Sequence, residues 1–193
     1  MLDTMTWLHE PPSWSVEDGV LRAVTGPRTD FWRETFYGWT TDNGHFFHRP
    51  VSGDFTAEVR VSARHTTRFD QAGMMVRADE RTWLKTGVEL TSGALHVGTV
   101  FTRGCSDVSM APVAGTAAET AAETAVRVSR FGSALTVHCR AGDGPWQLLR
   151  LGHLDLPETV DVGVMCCSPE GAGLEATFRD LRIGPPMSRD NLE

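Results

Sequence analysis

From Gln71 to Arg103 apolar and polar residues change places at almost every position, the period of a half-buried β-strand. Ala72, Met74 and Val76 share one face of a first strand; Leu84, Thr86, Val88 and Leu90 do so in a second, and Leu95, Val97, Thr99 and Phe101 in a third. The opposite faces carry Gln71, Gly73, Met75 and Arg77, then Trp83, Lys85, Gly87 and Glu89, then His96, Gly98 and Val100. Ser92-Gly93 suits a two-residue hairpin turn with positive φ, which sets Glu89 opposite His96 and Gly87 opposite Gly98. A loop over residues 78–82 sets Gln71 opposite Glu89, Gly73 opposite Gly87, Met75 opposite Lys85 and Arg77 opposite Trp83. One face of the three strands is then an apolar sheet. The other holds a row of glycines, Gly73, Gly87 and Gly98, between a polar row (Gln71, Glu89, His96) and a mixed row (Met75, Lys85, Val100). That pattern predicts a trough without side chains, walled by polar groups.

The same alternation recurs along the chain. Trp14 to Val24 reads as a hairpin turning at Glu17-Asp18-Gly19, and Phe55, Ala57, Val59 and Val61 form the buried side of another strand. Residues 125–131, 134–140, 146–151 and 160–167 read as strands, and 174–183 as a last one whose phase slips at Arg179-Asp180, which predicts a bulge. The Gly-Cys-Ser-Asp-Val-Ser-Met-Ala-Pro run after Arg103 and the doubled Ala-Ala-Glu-Thr at 117–124 are expected to be connections. Residues 29–48 are dense in aromatics (Phe31, Trp32, Phe36, Tyr37, Trp39, Phe46, Phe47) but broken by Gly38, Asn43 and Gly44, which predicts loops and a short strand. These rings cap one end of the core, or one or two of them line the mouth of the trough. No long helical period occurs. The expected class is all-β, a two-sheet antiparallel β-sandwich or jelly roll, in one domain over residues 1–186 with a tail over 187–193. Leu192-Glu193 in that tail is compatible with a cloning remnant.

Charge and cysteine content narrow the partners. A chain of 193 residues can bury a core without staples, and a formal charge of −7 with no basic patch argues against nucleic acid. The N-terminal stretch has neither a basic region nor an apolar run, and no segment reaches membrane-spanning length. Cys105, Cys139, Cys166 and Cys167 match no zinc or redox spacing; Cys166 and Cys167 are neighbours that a strand points to opposite faces. Reduced structural thiols in a cytoplasmic protein are the expected reading.

Trp7-Leu8-His9-Glu10-Pro11, Thr29-Asp30-Phe31-Trp32, Gly53-Asp54-Phe55-Thr56, Asp70-Gln71-Ala72-Gly73, Trp83 through Glu89 and Arg103-Gly104-Cys105-Ser106-Asp107 carry a resemblance. They resemble, in order, the family of unknown function 1349, the regulation-of-enolase-like group placed with the concanavalin A-like lectins and glucanases. The resemblance implies a concanavalin A-like sandwich whose curved front sheet has a concave groove, and a metabolic enzyme as a conceivable partner. A fold does not fix a function.

The chemistry of the trough face decides among the classes left. Glycoside hydrolysis needs two carboxyl groups about 5–5.5 Å or about 6.5–9.5 Å apart. Glu89 is the sole carboxylate on the trough face of these strands, with Asp70 at one end and Asp107 beyond the other as conceivable second members, so no catalytic residue is assigned. Binding fits better. Gln71, Lys85, Glu89 and His96 offer donors and acceptors for hydroxyls, Trp83 a stacking plane beside Arg77, and Gly73, Gly87 and Gly98 close access to the backbone. Asp70 would close one end of the groove, and Arg77, Arg103 and Asp107 the other. The plainer alternative is a solvated face whose glycines accommodate twist and whose Arg77 lies on Trp83 as a stabilising cation–π pair. His45 and His48 fall on opposite strand faces, and no nucleophile elbow or phosphate loop occurs, so no metal or cofactor is expected. The sequence thus points to a non-catalytic module that binds a saccharide or another small polar ligand in the concave groove. A protein-interaction regulator of a metabolic enzyme is the second reading and a glycoside hydrolase the third.

Overall fold

The computed structural model of the chain describes residues 2–113 and 123–189. Among these residues sixteen strands follow one another: β1 (Thr6–Leu8), β2 (Ser13–Glu17), β3 (Val20–Val24), β4 (Phe31–Arg33), β5 (Thr40–Asp42), β6 (His45–Ser52), β7 (Phe55–Ala63), β8 (Gln71–Arg77), β9 (Thr82–Thr91), β10 (Ala94–Arg103), β11 (Cys105–Pro112), β12 (Thr124–Phe131), β13 (Ala134–Ala141), β14 (Gln147–His153), β15 (Thr159–Cys167) and β16 (Glu175–Gly184). They form a front sheet in the order β1-β6-β15-β8-β9-β10-β11 and a back sheet in the order β14-β13-β12-β7-β16-β3-β2. A separate two-stranded arm, β4-β5, lies on the outer face of the front sheet. The pairing is antiparallel throughout, as the expected sandwich requires.

The alternation dictates the packing. Ala72, Met74, Val76, Leu84, Val97 and Phe101 of the front sheet meet Phe55, Ala57, Val59, Val61, Val126, Val128 and Phe178 of the back sheet in one core. Each large apolar side chain fully buried there contributes about 1.5–3 kcal/mol. The register of β8, β9 and β10 is the expected one, with Gly73 opposite Gly87, Gly87 opposite Gly98, Met75 opposite Lys85 and Glu89 opposite His96. Ser92 (φ 52°) and Gly93 (φ 75°) supply the hairpin turn. The bulge in β16 is also present, between Arg179 and Arg182 with Asp180 at φ 53°. Cys166 enters the sandwich core while Cys167 faces the outer side of the same sheet, and all four cysteines are free.

One segment departs from expectation. The run after Arg103 is not a loop but the edge strand β11, paired with β10 from Arg103–Cys105 to His96–Pro112. Gly104 (φ 76°) makes a turn so tight that pairing resumes at the next residue, and an edge strand needs few apolar positions to hold it. The doubled Ala-Ala-Glu-Thr run lies outside the described residues up to position 122, and its last residue opens β12. Among the described residues no helix is long and apolar enough to cross a membrane.

Candidate functional site

On the outer face of the front sheet, glycine lets neighbouring strands come close together. A Cβ on Gly73 would lie 2.0 Å from the Thr86 carbonyl oxygen, and one on Gly87 2.2 Å from that of Ala72. The two backbones approach where side chains would otherwise hold them apart. These glycines therefore shape the sheet and do not open a channel to a ligand. Gly98 differs, since its Cβ would meet nothing nearer than Met110 Cε at 3.7 Å and Glu89 Oε2 at 3.9 Å.

Over one end of this face lies the β4-β5 arm. Phe31 from β4 packs edge-on to Trp83 (6.2 Å between ring centres), and with Phe46, Met75, Val100, Met165 and Cys167 they form a second, smaller core. Polar staples hold the arm down. The Arg77 guanidinium donates to both carboxylate oxygens of Asp42 at 2.8 and 2.9 Å, a two-point fit that fixes β5. The Arg33 backbone N–H donates to Ser106 Oγ (2.9 Å) and its Nε–H to the Gly104 carbonyl (2.9 Å), which fixes β4 to the far edge. The third staple is Lys85, whose Nζ donates to Asp30 Oδ1 at 2.8 Å. Asp30 Oδ1 also accepts the Phe31 N–H (2.8 Å) and Gln71 Nε2 (3.4 Å), and the Asp30 N–H donates to Asn43 Oδ1 (2.9 Å).

Between the arm and the outer strands remains a cleft of about 660 Å³, within the range of small-ligand sites. Gln71, Lys85 and Glu89 line it from β8 and β9, and Trp32, Tyr37, Trp39 and Thr41 from the arm. Val100, Val108 and Met110 supply apolar surface from β10 and β11, while Arg28, Asp30, Arg68, Phe69 and Glu170 also line the space. Tyr37 stacks on Trp39 (4.7 Å, 22°) and meets Trp32 edge-on (5.7 Å). The site thus joins an aromatic wall to a charged floor.

Burial tunes that floor. It works against the Lys85 ammonium, yet the attraction and hydrogen bond of Asp30, with Cys167 and Glu89 adding to them, together outweigh it and hold Lys85 above its ordinary value. Glu89 behaves oppositely. Burial pushes its carboxyl up, Lys85 offsets part of the rise and Asp30 adds to it, to about 7. Among the described residues no hydrogen bond or ion pair reaches the Glu89 carboxylate. Cys167, buried beside this cluster, has its thiol pushed well above the ordinary range by burial.

Of the residues expected in the groove, Gln71, Lys85 and Glu89 line the cleft and Gly98 borders Glu89. Trp83 is 1% exposed beneath Phe31 and has no free ring face for stacking. Arg77 is spent on Asp42, and the ring near its guanidinium is Phe31 (5.7 Å), not Trp83. His96 sits outside the lining, its Nδ1 near the Ala94 carbonyl at 3.2 Å. Asp70 is a buried organiser. It accepts the Thr66 and Thr67 N–H groups and the Ser168 hydroxyl, holding the turn that presents Arg68 and Phe69. Arg103 and Asp107 pair with each other (3.4 Å), and Asp107 also with Arg150 (2.6 Å), away from the cleft. Among the described residues no group of three His, Cys, Asp or Glu side chains is placed to hold a metal ion.

The sequence does not single out Asp30; of the aromatic run, Trp32, Tyr37 and Trp39 line the cleft while Phe31, Phe46 and Phe47 are buried in the cores. A signal existed: a lysine among buried neighbours on a strand requires a carboxylate partner, and an aromatic run without alternation cannot all be core.

Residues 7–186 match the family described as "Protein of unknown function (DUF1349)". The chain is 38% identical over 184 residues to "Regulation of enolase protein 1" of Saccharomyces cerevisiae, covering 95% of this chain and 91% of that one. It superposes with TM-score 0.90 and 38% identity on the crystal structure of a functionally unknown protein from Saccharomyces cerevisiae, over 97% and 99% of the two chains. It also superposes on the carbohydrate-binding module CBM66 from Bacillus subtilis with TM-score 0.58 and 11% identity, over 94% and 95% of the chains, a likeness of fold.

Proposed function

The chain belongs to the DUF1349 family, and from that premise we propose that its concave cleft binds a saccharide or polyol without turning it over. The observation that carries this reading is the pairing of an aromatic wall (Trp32, Tyr37, Trp39) with a polar floor of buried Gln71 and Lys85 and half-buried Asp30 and Glu89 in one cleft. Sugars present an apolar ring face beside directional hydroxyls, and such a cleft meets both. Gln71 donates and accepts, Glu89 accepts, and the rings of the arm take the sugar face that Trp83 cannot reach. The fold, shared with a carbohydrate-binding module, supports the reading. Four unpaired cysteines support a reducing, cytoplasmic setting.

Asp30 speaks against hydrolysis. Its Oδ1 is engaged by Lys85, Gln71 and the Phe31 N–H, which leaves it a poor nucleophile or proton donor. A glycan array followed by calorimetric titration tests the reading: saccharide binding that Trp39→Ala weakens supports it, and an array with no ligand sinks it.

The name of the yeast relative favours a second reading, a regulator that contacts enolase. Phe36, 93% exposed at the tip of the arm, would then be a contact residue. Capture of purified enolase by the protein, lost in Phe36→Ser, would establish it.

A further inference from the structure

Glu89 is the anomaly of the cleft. Its floor neighbour Lys85 is committed to Asp30 at 2.8 Å, and Arg68 at the rim is held by Glu170 at 3.7 Å and lies over Phe69. Beside the Glu89 carboxylate lies the bare backbone of Gly98, where an added Cβ would stand 3.9 Å from Oε2 and 3.7 Å from Met110 Cε, so its absence leaves room there. A carboxylate that no hydrogen bond or ion pair engages among the described residues, and whose neighbouring cation is already paired with Asp30, faces a cleft whose other wall is aromatic and is complementary to a positively charged group. Ammonium is attracted both by the carboxylate and by the faces of tryptophan and tyrosine rings.

We propose that the cleft selects a saccharide or polyol that carries an amino group, with its ammonium docked on the Glu89 carboxylate and its ring against the arm's aromatics. This rests on the saccharide reading of the cleft. A neutral sugar leaves the Glu89 carboxylate without an ion pair of its own, whereas an aminated one supplies it. An acidic sugar is repelled by Glu89 and Asp30, unless it turns to Arg28, the lining cation for which no carboxylate partner is seen among the described residues. The titratable groups facing Glu89 are Lys85 on its own strand, Asp30 on the arm and His96 opposite it on β10. His96 lies opposite Glu89 in the strand register, so its variant belongs in the test.

The test is calorimetric titration at pH 7.5 with glucose, glucosamine and glucuronate. Glucosamine is expected to bind about 10-fold tighter than glucose, the worth of one charge-assisted contact. Glu89→Gln is expected to remove that difference, and His96→Gln to preserve it. In the wild-type protein the preference is expected to fall at pH 5.5, where Glu89 is neutral and the amine still charged; this arm needs no variant and so is immune to misfolding. Equal affinity for glucose and glucosamine would overturn the proposal and leave the saccharide reading standing. A preference for glucuronate, lost in Arg28→Gln, would also overturn it. Binding of none of the three would overturn both.

Discussion

Lys85 Nζ and Asp30 Oδ1 lie 2.8 Å apart, joining residues 55 positions apart in sequence and tying the β4-β5 arm to the middle of the front sheet. The Lys85 side chain is 4% exposed and that of Asp30 19%. Removing one partner strands a buried charge, which costs about 3–5 kcal/mol. Lys85→Met is therefore expected to lose stability in that range. Lys85→Met with Asp30→Asn is expected to lose less than the sum of the single changes, as urea unfolding of the four proteins would show.

The two paired glycines and the third behave differently under substitution. Gly73→Ala or Gly87→Ala would drive a methyl group into the neighbouring strand's carbonyl, and each is expected to cost roughly 2–4 kcal/mol. Gly98→Ala meets only ordinary contacts and is expected to stay within about 1 kcal/mol of wild type. Thermal unfolding of the three variants checks the order.

Glu89 sets a pH dependence of opposite sign to that of most carboxylates. Its folded pKa is raised from 4.5 to about 7, so the native state holds the proton more tightly than the unfolded chain. The stabilisation that its protonated form provides is fully present below pH 4.5 and is lost as pH rises through 7. Glu89→Gln is expected to be more stable than wild type at pH 8, by on the order of 1–3 kcal/mol, and about equal at pH 4.5. Denaturant melts of both proteins at the two pH values measure this.

His45 works in the other direction. Its Nε2 accepts the Gly26 N–H at 3.0 Å and its Nδ1 faces the His9 carbonyl at 2.6 Å, a neutral ring with both nitrogens used. Burial lowers its pKa below 6.5, so its contribution is present above 6.5 and is lost as pH falls below that value. His45→Gln is expected to be less stable at pH 7 and to lose less stability than wild type between pH 7 and 5, which stability curves at both pH values would show.

The fold was legible because alternation is a local signal. Each of β7 to β10 carries its own pattern, and the hairpin turn at Ser92-Gly93 fixes a register that Gly87 and Gly98 then obey. The site was half legible for the same reason. Gln71, Lys85 and Glu89 follow from strand phase, but phase says only that a side chain leaves the core, not what covers it. Trp83 and Arg77 point outward as expected and are then covered by Phe31 and Asp42. The covering arm comes from residues 29–44, whose pairing depends on contacts such as Arg33 to Ser106 that no local pattern encodes. Likewise the glycine row was right as register, but at Gly73 and Gly87 the space is taken by the neighbouring backbone, because how closely two strands approach is not written in either strand's pattern.

Most direct is a nuclear magnetic resonance titration of the protein with whichever saccharide a glycan array selects. A saccharide held in the cleft should shift the indole N–H signals of Trp32 and Trp39 and the amide of Glu89, and leave buried Trp83 and back-sheet amides such as Val128 in place. Saturable binding with those cleft signals unmoved, or no saturable shift with any saccharide, would contradict it.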